Sequence, residues 1–65
     1  MEYTNSQIRE LIDEHIHNAD DRKMLSLRLI DGLTFEQIGF EMEMTTKTVR
    51  VRIHKGEEKL FRHLP

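Results

Sequence analysis

Apolar residues recur along this chain at intervals of three and four, and the pattern divides into four amphipathic segments. Ile8, Leu11, Ile12 and Ile16 make the first stripe. It is opened by Thr4-Asn5-Ser6-Gln7, a capping box in which the Thr4 hydroxyl and the Gln7 side chain can satisfy each other's orphan amides. Tyr3 and Ile8 stand at hydrophobic-staple positions, and this helix is expected over about 5–17, fading at His17-Asn18. A second helix, over about 20–31, carries Met24, Leu25, Leu27, Leu29 and Ile30 around most of its circumference. Packing on several sides would put it at the centre of the core. Gly32 follows as a stop, because glycine accepts the left-handed conformation that closes a helix.

Thr34-Phe35-Glu36-Gln37 is a second capping box and opens a short helix over about 35–42. After a turn at Glu43-Met44, Thr45 is placed to cap a last helix over about 46–63, with Val49, Ile53, Gly56, Leu60 and Leu64 along its inner face. Two capped helices joined by so short a turn form a helix-turn-helix. Gly39 inside the third helix costs up to about 1 kcal/mol relative to Ala, so a close approach is expected there. The pattern as a whole predicts an all-α fold, a compact four-helix domain spanning 1–65 and containing a helix-turn-helix.

At 65 residues the chain is expected to be one domain with little room for a catalytic cleft. It has no cysteine, which excludes disulfides and thiolate metal sites. No apolar run approaches a membrane span, and MEYTNSQIRE lacks the layout of a signal peptide, so a cytoplasmic protein is expected.

The net charge of −2 hides an asymmetry. Residues 1–43 hold four basic against ten acidic side chains, whereas residues 44–65 hold six basic against two acidic. A basic C-terminal third can attract a polyanion although the whole chain does not. At about 100° per residue, with Val49 inward, the outer side of the last helix is centred on Lys47, Val51, His54 and Glu58, with Arg50 on its flank. Free amides and positive charge at a helix start hold phosphate, so Thr45, Thr46 and Lys47 are candidate phosphate contacts. Arg50 is suited to a guanine edge and Val51 to a thymine methyl. Lys55 is a candidate for sequence-independent attraction. Glu57 and Glu58 repel phosphate, which implies that the helix leaves DNA after its second turn; Glu58 and Arg62 make an i,i+4 pair. The competing reading of this face is an ordinary solvated helix.

Other chemistry is poorly supported. His15 and His17 point to different faces of the first helix, and with Asp20 and Asp21 they do not match a metal-ligand spacing. No phosphate loop, nucleophilic Ser elbow or carboxylate pair in an evident pocket is visible, so neither an enzyme nor a cofactor is expected.

From about Asp21, the run DRKMLSLRLIDGLTFEQIGFEMEMTTKTVRVRIHKGEEKLFRHL resembles region 4 of bacterial RNA polymerase sigma factors. GLTFEQIG is similar to that family's Gly-hydrophobic-Ser/Thr-aromatic-Glu-x-Ile-Ala. TVRVRIHKGEEKL is similar to its Thr-Val-basic-x-Arg-hydrophobic-His-basic-Ala pattern ending in Lys-Leu. The resemblance implies a recognition helix in the major groove of the promoter −35 element and docking on the β-subunit flap of RNA polymerase. It also implies that Thr46, Lys47, Arg50 and His54 face the groove and that Thr34 and Arg52 face the DNA backbone.

Three departures qualify that picture. Glu43 stands where the family's turn commonly has Gly, so the turn is expected to strain or to change geometry. Phe40 occupies a usually polar position and is a candidate contact surface. The chain has no room for the region that recognises the −10 element. A stand-alone protein of the phage or mobile-element kind is therefore expected, acting beside a second sigma-like subunit or as a regulator in its own right.

Two alternatives are kept. The LuxR/GerE type of output domain has similar GLT and KTV positions and dimerises through its last helix; Phe61 and Leu64 would either close the core or pair two chains as a homodimer. The other is a polymerase- or sigma-binding interaction module without DNA binding, using Phe40, Phe61 and the acidic first half.

Overall fold

The computed structural model describes residues 3–64, which form four helices: α1 (Asn5–His15), α2 (Ala19–Leu29), α3 (Phe35–Met42) and α4 (Thr46–Phe61). Each begins at a side-chain cap. Thr4 Oγ1 accepts from the Gln7 amide at 3.1 Å and Thr34 Oγ1 from the Gln37 amide at 3.1 Å, while each glutamine Oε1 accepts in return from the cap amide at 2.8 Å. Thr45 Oγ1 accepts from the Thr48 amide at 3.2 Å. For α2 the cap is Asn18, whose Oδ1 accepts from the Asp21 amide at 3.0 Å, so the helix starts ahead of the residue that the apolar pattern suggests.

Three of the helices end two residues short of the bounds that the apolar periodicity suggests. The chain leaves α1 after His15 because Ile16 turns extended, at φ −111° and ψ 117°, and buries its side chain in the core. At the end of α2 the Leu33 amide returns to the Leu27 carbonyl at 3.0 Å, with Gly32 at φ +72°. α4 gives way to turn structure after Phe61, where the His63 amide bonds back to Leu60.

One core gathers Ile12, Ile16, Met24, Leu25, Ile38, Val49, Ile53 and Leu60. Each such side chain contributes about 1.5–3 kcal/mol on burial. α2 and α4 each pack on all three other helices, so together they form the frame on which α1 and α3 are mounted. Leu60, rather than Phe61 or Leu64, closes the core at the end of α4: Phe61 stays 57% exposed and lines an apolar hollow with Tyr3, Ile8, Leu11 and Leu64. His15, at the edge of this region, stacks on His63 with ring centroids 3.7 Å apart.

The α3–turn–α4 unit is set by two backbone features. A Cβ on Gly39 would lie 2.8 Å from the Met44 carbonyl oxygen, so the close approach is to the turn's own backbone, and that backbone cannot give way as a flexible side chain can. Glu43 closes α3 in the left-handed region, at φ +56° and ψ +44°. The turn thus keeps the geometry that glycine favours and carries the strain of a non-glycine residue, about 1 kcal/mol. Among the described residues, no helix is long and apolar enough to cross a membrane.

Candidate nucleic-acid interface

The inward stripe of α4, Val49, Ile53, Gly56 and Leu60, is buried, and this fixes which residues face out. Lys47, Arg50, Val51, His54 and Lys55 are all exposed on the first three turns, Val51 to 47%. Thr45 is exposed at the cap, with its hydroxyl donating to Thr48 Oγ1 at 2.9 Å, and Thr46 is half-buried beside it. Among the described residues, Lys47, Arg50 and Lys55 have no carboxylate within ion-pair distance. Glu58, further along, pairs with Arg62 at 3.7 Å.

Arg52 is arranged differently. Its Nε donates to Asp21 Oδ1 at 2.7 Å, its Nη2 to Asn18 Oδ1 at 3.1 Å, and its Nη1 approaches the Met44 sulfur at 3.7 Å. Asn18 Oδ1 is the same atom that caps α2. Arg52 therefore ties the middle of α4 to the first turn of α2, on the flank away from Arg50.

On the other flank, α2, α3 and α4 meet in a hollow lined by Arg28, Thr34, Phe35, Glu36, Thr46 and Arg50. Thr34 is exposed here and serves as the cap of α3. Phe35 lies at the centre. The Arg28 guanidinium carbon sits 4.3 Å from its ring centroid and that of Arg50 5.7 Å, both within cation–π range. The His54 ring approaches edge-on at 5.9 Å and 72°. Arg28 is anchored by an Nη1 bond to the Leu33 carbonyl at 2.9 Å.

Arg28 and Phe35 do not emerge from reading α4 as an isolated wheel. One signal for Arg28 was present: it is the single base between Lys23 and Lys47. Of the two aromatic contact candidates, Phe40 stands 89% exposed on α3, beside Glu36, Glu41 and Glu43 in the sequence, and Phe61 lies at the far end of α4.

The family model for Sigma-70, region 4 matches residues 18–60, from the cap of α2 to the last core residue of α4. The chain belongs to the sigma-70 region 4 family. The match spans about two-thirds of the chain and covers α2, α3 and α4 up to its penultimate residue. Comparisons with curated proteins and with solved structures return no match. Sigma region 4 domains are DNA-binding helix-turn-helix units of transcription rather than enzymes, and they bind DNA and RNA polymerase. In this member, the helix-turn-helix comprises α3, the Glu43-centred turn and α4.

Proposed function

We propose that this sigma region 4 protein recognises a specific DNA sequence by laying the first turns of α4 in the major groove, as a transcription regulator or a promoter-reading sigma-like subunit. The observation that carries the reading is the pairing state of the bases on α4. Arg52 is tied to α2, while Lys47, Arg50 and Lys55 are exposed with no carboxylate partner among the described residues. Cations left unpaired on one side of a helix retain their full attraction for phosphate.

In this reading Arg50 bonds a guanine edge, Val51 touches a thymine methyl and His54 faces the groove. Thr45, Thr46 and Lys47 hold phosphate at the start of α4, helped by its free amides, and Thr34 does so at the start of α3. Lys55 adds sequence-independent attraction. Arg52, a backbone contact by family resemblance, is here assigned to the frame. The protein works in the cytoplasm, beside RNA polymerase and its β-subunit flap or a second sigma-like subunit.

Selection of bound duplexes from a randomised pool tests this, followed by affinity measurements on the enriched sequence. Arg50→Ala is expected to remove about 1–3 kcal/mol of discrimination at one base pair. Unchanged affinities of Arg50→Ala for target and random duplex would sink the proposed face. A palindromic motif would indicate a homodimer and an asymmetric one a monomeric reader.

A polymerase- or sigma-binding module without DNA binding is the second reading, favoured by the exposure of Phe40 at 89% and Phe61 at 57%. Passage through a heparin column without retention would support it over DNA binding.

A further inference from the structure

Phe35 occupies the first position of α3, where the cap of Thr34 and Gln37 needs nothing from its side chain. The ring is only half-buried, and packing on the core would be served equally by an aliphatic residue. What an aliphatic residue would lack is the negative face of an aromatic ring. Three nitrogen-bearing side chains from two other helices converge on that ring: Arg28 at 4.3 Å, Arg50 at 5.7 Å and His54 edge-on at 5.9 Å. Two of the three lie on the outward side of α4.

We infer that Phe35 is a positioning residue for DNA recognition: its ring, steadied by Arg28, orients Arg50 and His54 before DNA arrives. The inference rests on the DNA-binding reading given above. Arg50 is an exposed, rotamer-rich side chain with no ion-pair partner among the described residues, so without the ring its head would sample many directions. Ring attraction narrows that range at no cost in charge, whereas a carboxylate in the same place would compete with DNA for the guanidinium. Arg28 contributes in two ways. Its bond to the Leu33 carbonyl fixes it to the α2–α3 connection, so it holds the ring from a stationary side. Its positive charge also repels the Arg50 guanidinium, which disfavours conformers of Arg50 folded back onto α2.

The test compares the wild type, Phe35→Leu and Phe35→Tyr on the selected duplex and on the same duplex altered at the base pair to which Arg50→Ala is blind. Phe35→Leu keeps the apolar bulk and is expected to lower that discrimination ratio about two- to five-fold, the range of an exposed cation–π contact. Phe35→Tyr keeps the ring and is expected to restore the ratio. The salt dependence should be the same in all three, because no phosphate contact is removed. Thermal melts establish whether each variant is folded. NMR of the wild type supplies a readout that needs no variant, since Arg28 and Arg50 side-chain protons near the ring should resonate upfield of their free values.

A folded Phe35→Leu protein with an unchanged ratio overturns the inference, as do Arg50 protons at free values. Loss of discrimination in Phe35→Tyr as large as in Phe35→Leu overturns it too. If the wild type itself prefers no duplex, the DNA reading falls and the inferred role with it. That result is distinguishable from specific wild-type binding that Phe35→Leu leaves intact.

Discussion

Arg52 separates family resemblance from the structure of this chain, and Arg52→Met tests which of them governs. Methionine preserves much of the aliphatic stem and removes the guanidinium. In the structure that group donates to Asp21 at 2.7 Å and to Asn18 at 3.1 Å, and both Arg52 and Asp21 side chains are 29% exposed. Exposed ion pairs contribute about 0–1 kcal/mol, while removing one partner of a buried pair costs about 3–5 kcal/mol. The partial burial and the two charge-assisted bonds put Arg52→Met between these limits, at a loss of about 2 kcal/mol. Asp21 retains some compensation from the start of α2, which argues against a larger figure. For a domain of this size the loss corresponds to a fall in Tm of about 8–16 °C. Circular dichroism melts measure it, and a double-mutant cycle with Asp21→Asn should return a coupling of about 1 kcal/mol or more. Well below Tm, the affinity for DNA and its salt slope should be almost unchanged. A Tm within about 2 °C of wild type, together with a salt slope reduced by about 1, would refute the assignment and make Arg52 a phosphate ligand.

Other expectations follow from the turn and from the free bases. Glu43→Gly relieves the left-handed strain at φ +56° and should stabilise the fold by about 0.5–1 kcal/mol, read as a higher Tm. Gly39→Ala should destabilise by about 1–2 kcal/mol despite alanine's better helix propensity, because its Cβ would lie 2.8 Å from the Met44 carbonyl oxygen; an unchanged or raised Tm would contradict the close approach. With Lys47, Arg50, Lys55 and Arg28 as the cations near the face, log affinity should fall with log salt at a slope of about −3 to −4 or shallower. Lys55→Ala should reduce that slope by about 1 without changing discrimination, and a slope steeper than about −6 in the wild type would mean that other bases also reach phosphate.

Much of the fold was legible because its signals are local. Thr4, Thr34 and Thr45 each announce a helix within four residues, and the inner face of α4 follows from the spacing of Val49, Ile53, Gly56 and Leu60. Which side chains share the outer face followed from the same wheel. What escaped depends on contacts far apart in sequence. Ile16 continues the apolar stripe of α1, yet the helix has already ended there, and its side chain enters the core from an extended backbone. The partners of Arg52 lie 31 and 34 residues away, so no local pattern could reveal that it is already occupied. The grouping of Arg28, Phe35, Arg50 and His54 likewise exists only after three helices have packed.

These long-range contacts share one origin in α2. Asn18 and Asp21 at its first turn hold Arg52, and Arg28 in its last turn holds Phe35, which meets Arg50 and His54. Asn18 and Arg28 are ten residues apart, a rise of about 15 Å along a helix, so α2 engages one flank of α4 directly and the other through Phe35 of α3, at well-separated points. A helix gripped on one flank alone can roll about its axis; grip on both flanks opposes rolling and fixes which side chains face outward. The two grips also sort the charges, since one pairs Arg52 with a carboxylate and the other gathers Arg28 and Arg50 around a neutral ring. The basic character of the proposed DNA face is therefore set less by the number of bases on α4 than by which of them α2 neutralises and which it leaves free.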